Sequence, residues 1–143
     1  MLVCADPPAL TEWGNWTPGH WELAAIYARG HIANTRQINA TFVGDPTLIP
    51  QDFFGWYTQA AYHLFDWETG SLSPFVRFER INTASDYADI APRVTPSDGP
   101  DQDIITGGFS FLFAQGVVLT ADYQHFRGDG ESDLINLGLG YQF

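Results

Sequence analysis

Six segments of the chain alternate apolar and polar residues with the two-residue period of a β-strand. In the last of them, 132–143, Ile135, Leu137 and Leu139 share one face with two aromatic residues, and the opposite face is mostly small or polar. Because successive side chains of a strand point to opposite sides of its sheet, this pattern requires an apolar medium on one side and a wetter one on the other. That medium is either a protein core or lipid.

The other five segments repeat the pattern at similar length. They are 20–30, 54–65, 72–83, 103–114 and 116–127. Strands of soluble proteins most often have about 5 to 6 residues, whereas a tilted strand needs about 9 to 11 to cross a bilayer. These segments have about 10 to 12 residues, so their length favours lipid over a protein core.

The connectors between the segments alternate in size. The connectors 66–71 and 115–116 are tight, whereas 32–53 and 84–102 are long and rich in Asp, Pro, Thr and Asn; 128–132 is a shorter third connector on the long-loop side. Outer-membrane barrels have short turns on the periplasmic side and longer loops outside. The sequence therefore predicts an antiparallel up-and-down sheet with its tight turns at one end.

Six strands are too few to close a membrane barrel, since the smallest have about eight, and an open sheet edge cannot face lipid. We therefore predict an all-β fold, in which about six strands form the incomplete C-terminal part of a larger antiparallel up-and-down transmembrane β-barrel. Residues 1–19 would be the remnant of a preceding strand and its periplasmic turn, and 20–143 the C-terminal portion of the barrel domain.

Composition narrows the class of protein. The chain has 17 acidic residues, six arginines, no lysine and a net charge of −11. Nucleic-acid binding would need a basic footprint, so the sequence excludes it.

A single cysteine, Cys4, gives no disulfide framework and no paired metal motif. The first residues lack the basic and apolar regions of a secretory signal, and no run approaches the ~18 apolar residues of a membrane helix. We therefore expect strands to cross any membrane, and the chain to be the C-terminal piece of a longer protein.

Four blocks of the sequence resemble a known family. "GWYTQAAYHLF", "LSPFVRFERINT", "GVVLTADYQHF" and "NLGLGYQF" are similar, in order and spacing, to the closing third of the bacterial phosphate-selective porin O/P family, over roughly residues 53–143. "PFVRFE" and "LTADYQ" are the most specific pieces. The resemblance implies a large outer-membrane barrel that lets small hydrophilic solutes or ions diffuse passively through a water-filled lumen, without a cofactor. It implies outer-membrane lipid, lipopolysaccharide and the barrel assembly machinery as partners, and a homotrimer as the full-length protein.

The solute is not specified by the resemblance. Family members named for phosphate carry basic residues, notably lysines, along the pore, and this chain has none. The arginines on its predicted strands are Arg29, Arg77, Arg80 and Arg127. Phosphate selectivity is therefore not predicted.

Several polar residues are candidates to line the pore. Arg77 and Glu79 are two residues apart on one strand and share a face, and the cost of about 2 to 4 kcal/mol for Arg against lipid favours the lumen. They would either bias which ions pass or form an internal ion pair that braces the wall. The other candidates on polar faces are Glu22, Gln59, Thr120, Asp122, Gln124 and Asn136.

Aromatic residues near strand ends or on the apolar faces are candidates for the rings of an interfacial girdle. They are Tyr27, Trp56, Tyr123, Tyr141 and Phe143. As the terminal aromatic residue, Phe143 also resembles the assembly signal of outer-membrane proteins. The alternative is a soluble ligand-binding β-barrel, in which the apolar face would be the inside.

A small outer-membrane barrel that serves as an anchor or an enzyme is the runner-up. His125 and Ser132 flank one loop, but His125 falls in phase with Tyr123 on the outward side and no acid is expected in register to orient it. We therefore predict no catalytic residues. The acids of the loop 84–102 do not have the spacing of a calcium loop, and no metal site is predicted.

Overall fold

The chain forms one antiparallel sheet whose consecutive strands are neighbours. The computed structural model describes residues 10–41, 48–88, 101–114, 116–128 and 131–141. The strands are β1 (Leu10–Trp16), β2 (Trp21–His31), β3 (Asp52–Tyr62), β4 (Phe65–Trp67), β5 (Gly70–Asp86), β6 (Asp101–Ala114), β7 (Val117–Gly128) and β8 (Ser132–Tyr141). One helix, α1 (Thr35–Asn39), lies in the connection between β2 and β3.

The strands follow the order β1-β2-β3-β5-β6-β7-β8, and β4 pairs with β5. The prediction of an all-β, antiparallel, up-and-down arrangement is confirmed, and the sheet has two strands more than expected. In the described part of the chain the sheet does not close on itself, so β1 and β8 lie at its two edges. β1 falls within the segment that we expected to be the remnant of a preceding strand.

β4 is the continuation of β3 beyond a short interruption at 63–64. Leu64 donates its backbone N–H to the carbonyl of Leu72, so the backbone groups of Leu72 point toward β3 and β4. Pro74 is two residues further along the strand, so its backbone groups point to the same side. Pro74 lies opposite this interruption, between Leu72, which pairs with Phe65, and Phe75, which pairs with Ala61. A proline in a central strand is therefore accommodated because its missing N–H faces a gap in the ladder.

Both long connections belong to one end of the sheet, as the sequence predicted. The strand ends joined by the short connections 17–20, 68–69 and 115–116 lie at one end, and those joined by the long connections 32–51 and 87–100, and by the short connection 129–131, lie at the other. In the first long connection, Asn39 donates to the carbonyl of Ile49 and accepts from its N–H, both at 2.9 Å. This pair of bonds anchors the described part of that loop next to α1.

In the described part of the chain, the only contacts between elements are those of neighbouring strands, so no described element covers either face of the sheet. Among the described residues the buried apolar side chains are only Leu48, Ala61 and Ile104. A soluble domain of this size buries about two thirds of the surface of its unfolded chain, largely with apolar side chains. The described residues therefore form almost no apolar core. No helix in the described ranges has the length and apolar character needed to cross a membrane.

Candidate functional site

The strand register assigns each strand residue to one of two faces, since Cα partners lie on the same side of a sheet. One face, which we call the apolar face, contains the aligned row Leu23, Ala60, Val76, Tyr123 and Ile135, with Gly107 between Val76 and Tyr123. The other, the polar face, contains a row across five strands: Ala24, Gln59, Arg77, Thr106 and Gln124.

The eight candidate pore-lining residues all lie on the polar face. They are Glu22, Gln59, Arg77, Glu79, Thr120, Asp122, Gln124 and Asn136. The sequence thus placed side chains from five strands on one side, because the alternation fixes the face of each once the strands are paired. Their role in a pore stays a prediction.

The two faces differ in how far their side chains are covered by neighbours. On the polar face Thr106 is 2% exposed and Ser73 is buried, whereas on the apolar face Leu137 is 84% exposed and Val76 is exposed. Since no second layer of described residues lies on either side, the cover that the structure shows comes from within the sheet. Greater crowding of one face is the result expected when a sheet curves toward that face. The polar side chains therefore have the geometry of the inside of a curve.

Arg77 is held by three neighbours on the polar face. Its Nε donates to Oε1 of Gln59 at 2.9 Å, and its guanidinium carbon lies 5.0 Å from the centre of the Tyr57 ring. Nη1 lies 3.8 Å from Oε2 of Glu79, a looser contact, and about a third of the side chain is exposed. The predicted Arg77–Glu79 pair exists, but the hydrogen bond to Gln59 and the ring of Tyr57 fix the guanidinium more closely.

Other polar contacts cross neighbouring strands on the same face. Asn136 donates Nδ2 to Oδ1 of Asp122 at 2.9 Å. His63 lies with Nδ1 3.2 Å from the hydroxyl of Ser73 and with Nε2 3.9 Å from Oε2 of Glu22. These contacts spread over the sheet and do not converge on one centre, so they shape a polar wall more than a reaction site.

The polar face also carries an apolar row near the end with the long connections. The register aligns Trp13, Ile26, Tyr57, Ile104 and Phe126, with Glu79 between Tyr57 and Ile104. The sequence alone does not predict this row, although each of these residues lies at one of the alternating positions that form the polar face of its strand. The signal was present, but its alignment depends on the register, which the sequence does not give directly.

On the apolar face, aromatic rings mark both ends of a continuous apolar band. Tyr27, Trp56 and Tyr123 lie toward the long connections, and Tyr141 lies toward the tight turns. Aromatic rings pack against one another across strands. The distance between ring centres is 5.4 Å for Trp56 and Phe78, 4.9 Å for Trp21 and Tyr62, and 5.6 Å for Trp67 and Phe111. These four girdle candidates share the apolar face, and the fifth, Phe143, lies outside the described residues.

Charged residues follow the apolar band on the same face, at the end with the long connections. Arg29 and His31 contact Asp52, Arg80 contacts Asp101 at 3.2 Å, and His125 contacts Asp133. Arg127 lies opposite Asp103, whose Oδ1 is 3.8 Å from Nε of Arg80. The change from apolar to charged side chains along single strands gives this face a sharp boundary.

Hydrogen bonds to histidine lower the pKa of two carboxyl groups beyond this boundary. The pKa of Asp52 is lowered mainly because His31 lies 2.9 Å from its Oδ1, with burial opposing and Arg29 assisting. The pKa of Asp133 is lowered by its hydrogen bond with His125, at 2.7 Å. Both carboxyl groups are therefore held in the ionised form.

The prediction that no acid lies in register with His125 was wrong. Asp133 is its direct partner on β8, and the two side chains form a hydrogen bond. The reason is that the connection 129–131 is short, so β8 begins opposite the end of β7. Ser132 pairs with Phe126 and so lies on the opposite face from His125. The serine and the histidine are therefore not brought together for nucleophilic catalysis.

The described acidic residues of the segment 84–102 do not come together in a site. Asp89 and Asp98 lie outside the described residues, and Asp86 and Asp101 belong to β5 and β6. In the part of the chain that is described, no group of three or more His, Cys, Asp or Glu side chains is placed to hold a metal ion.

Comparisons with protein-family models, with curated proteins and with solved structures found no match to this chain. The resemblance to the porin family therefore stays a prediction from the four sequence blocks. The geometry that bears on function is that of the two faces.

Proposed function

We propose that the chain is the C-terminal part of an outer-membrane porin. The apolar face contacts lipid, and the polar face lines a water-filled passage through which small hydrophilic solutes diffuse down their concentration gradients. The observation that carries this proposal is the apolar band, because both of its limits slope across the sheet by the same amount.

At the end with the long connections, the limit is the first charged residue of each strand on the apolar face. On β2 this residue is Arg29, which the register places level with Asn82 of β5. On β8 it is Asp133, which is level with Phe78 of β5. Between β2 and β8, which are five strand-to-strand steps apart, the limit therefore shifts by four residues; on β3 it lies further out, at Asp52, the partner of His31.

At the end with the tight turns, Trp21 and Tyr141 close the band on β2 and β8. The residues next to them on the same face, Leu23 and Leu139, are level with Val76 and Leu72 of β5. The shift is again four residues. With a rise of about 3.3 Å per residue and about 4.8 Å between strands, this slope corresponds to a strand tilt of roughly 30°. Strands of outer-membrane barrels tilt by about 35–45°.

The height of the band also fits lipid. On β2 and β8 it runs from Trp21 to Tyr27 and from Ile135 to Tyr141, and on β3 from Phe54 to Tyr62. At about 3.3 Å per residue these lengths are roughly 20 to 26 Å along the strand, and a tilt of roughly 30° reduces them to about 17 to 23 Å along the membrane normal. The aromatic side chains extend the band at both ends, toward the apolar height of about 25 Å in outer-membrane barrels. β1 departs from this pattern, because Glu12 lies level with Tyr27.

The difference in exposure favours this function over a soluble ligand-binding barrel. Such a barrel has its apolar face inside, where side chains crowd one another. Here the crowded face is the polar one, and the apolar residues are the exposed ones, for example Leu137 and Ile135. The outer surface of this sheet would thus need an apolar solvent.

The remaining elements of the proposal follow from this orientation. Tight turns lie in the periplasm and long connections outside, so the charged residues beyond the band lie at the level of lipid and lipopolysaccharide headgroups. Preceding strands of the complete protein would close the barrel. The barrel assembly machinery and two further copies in a homotrimer are the partners that the family resemblance implies.

Neighbouring residues on β8 provide a direct test. Leu137→Arg places a charge in the middle of the apolar band, whereas Asn136→Arg places it on the polar face. In lipid we expect Leu137→Arg to lower the free energy of unfolding by about 2 to 4 kcal/mol and Asn136→Arg to lower it much less. The measurement is urea unfolding of the complete gene product refolded in phospholipid vesicles, and the matched control is Leu137→Ala.

In a soluble protein Leu137→Arg would not lower the free energy of unfolding in this way. Leu137 is 84% exposed, so in water its replacement by Arg would be nearly neutral and would improve solubility. Equal stability of the two arginine variants in vesicles would contradict the proposal. So would a wild-type protein that folds in buffer without lipid or detergent.

A further inference from the structure

We propose that the passage prefers cations to anions. This inference rests on the proposed function, in which the polar face is the wall of a water-filled lumen. On the described strands that face carries four carboxylates, Glu22, Asp66, Glu79 and Asp122, and one guanidinium, Arg77. This wall therefore has an excess of formal negative charge.

The charge of Arg77 is the most strongly compensated on this face. Its neighbours are the carboxylate of Glu79, at 3.8 Å, the amide oxygen of Gln59 and the electron-rich face of Tyr57. Each of these groups offers negative charge or partial negative charge to the guanidinium. A passing anion would have to compete with them, so Arg77 and Glu79 together contribute little net charge to the lumen.

Glu22 and Asp122 are the uncompensated charges within the long strands, and Asp66 lies on the same face in β4, at the end with the tight turns. The side chain of Glu22 is 39% exposed, and its Oε2 lies 3.9 Å from Nε2 of His63. The carboxylate of Asp122 accepts a hydrogen bond from a neutral amide, that of Asn136. Neither contact supplies a permanent positive charge, and both residues face the side that would hold water.

The two carboxylates act at separate parts of the wall. The register aligns Glu22 with Asp122 through Ala61, Phe75 and Gly108, so they are four strands apart, or roughly 19 Å along the sheet. At that distance they do not chelate one ion. They attract cations and repel anions through the field of the wall, which a low-dielectric barrel concentrates in the lumen.

The other arginines of the strands lie on the opposite side of the sheet. Arg29, Arg80 and Arg127 all belong to the apolar face, beyond its band. Arg29 and Arg80 contact Asp52 and Asp101 there. Three of the four arginines on the strands are thus outside, whereas Glu22 and Asp122 are inside. This separation is the opposite of what a passage for phosphate would need.

The test is the reversal potential of the complete gene product in planar lipid bilayers under a tenfold gradient of KCl. We expect the sign that corresponds to preferential flow of K⁺. The double variant Glu22→Gln/Asp122→Asn should lower the ratio of cation to anion permeability by about twofold or more. The matched control is Asp133→Asn, which removes a carboxylate from the apolar face and should leave the ratio unchanged.

A second variant keeps the inference testable if the double variant fails to fold. Arg77→Gln leaves Glu79 uncompensated, so the permeability ratio should rise. A conducting wild-type channel that prefers anions would overturn this inference and leave the porin proposal standing, as would a ratio that neither polar-face variant changes. A protein that inserts into bilayers and resists heat denaturation in detergent, yet does not conduct, would overturn the porin proposal and this inference with it.

Discussion

At the scale of single residues, the face of a side chain decides what it can do. Arg77 and Val76 are neighbours in sequence, yet the first is held among polar groups and the second is exposed on the apolar face. The sequence predicted this division, since period-two alternation is a local property. It did not predict the Asp133 partner of His125, because contacts between strands depend on the register.

Two adjacent glycines make the effect of the face measurable. A Cβ on Gly108 would lie 2.5 Å from the carbonyl oxygen of Ala121 and 2.7 Å from Cβ of Asp122, whereas a Cβ on Gly107 would meet nothing within 4 Å. We expect Gly108→Ala to lower the free energy of unfolding by about 1 to 3 kcal/mol, because backbone atoms must move. Gly107→Ala should be neutral or stabilising by up to about 1 kcal/mol.

Urea unfolding of both variants in lipid vesicles measures the difference. The two substitutions have the same chemistry and neighbouring positions, so each controls for the other. Equal destabilisation would mean that β6 and β7 are not as close at Gly108 as the structure shows.

Asp52 and its two partners, His31 and Arg29, form a group that we call the Asp52 cluster. This cluster makes the stability of the fold depend on pH. The pKa of Asp52 is lowered in the folded state, so its ionised form stabilises the fold above the ordinary aspartate pKa of about 3.9, and this contribution is lost as the pH falls through the lowered pKa. We expect Asp52→Asn to lower the free energy of unfolding by about 1 kcal/mol at pH 7, through loss of the contacts with His31 and Arg29. The loss should be smaller at pH 3.

The measurement is the urea midpoint between pH 3 and pH 7. Asp66→Asn, at an exposed position of β4, controls for the removal of one negative charge. If Asp52→Asn were as costly at pH 3 as at pH 7, the contribution of the cluster would not depend on ionisation.

At the scale of elements, alternation predicted the long strands well and the short ones not at all. β2, β3, β6, β7 and β8 lie within two or three residues of the predicted segments. β4 has three residues and α1 has five, which is too few for either period to be recognised. β5 extends to Asp86 through residues such as Thr83 and Ser85 that carry no apolar pattern; their place is set by the ladder with β3, in which Asp86 pairs with Asp52.

The candidate site was predictable to the same degree. The shared face of the eight polar residues was predictable, because each lies at one of the alternating positions that form the polar side of a long strand. The apolar row that includes Trp13 and Ile104 was not found, because its members are scattered in the sequence and meet only through the register. Local pattern therefore identifies the faces, and strand pairing decides which residues meet on them.

At the scale of the whole molecule, the tryptophans report on the two environments. Trp16, Trp21, Trp56 and Trp67 lie on the apolar face, and Trp13 alone lies on the polar face. In vesicles with brominated acyl chains we expect a variant that keeps only Trp56 to lose most of its emission. A variant that keeps only Trp13 should be quenched much less, because bromine quenches only at contact and Trp13 faces the lumen.

Steady-state fluorescence in matched vesicles without bromine gives the reference intensity. A soluble quencher such as iodide should show the reverse order. Equal quenching of Trp13 and Trp56 by brominated lipid would mean that lipid reaches both faces of the sheet.

The open edges of the sheet have a consequence for the chain on its own. Along β8 and β1, in the described part of the chain, one row of backbone N–H and C=O groups has no neighbouring strand, and such a row is a template for further strands. A chain of this length produced without a membrane to receive it would add copies edge to edge, with their exposed apolar faces stacked together. We therefore expect overexpression in the cytoplasm to yield inclusion bodies rich in intermolecular β-structure, and recovery from them to depend on detergent.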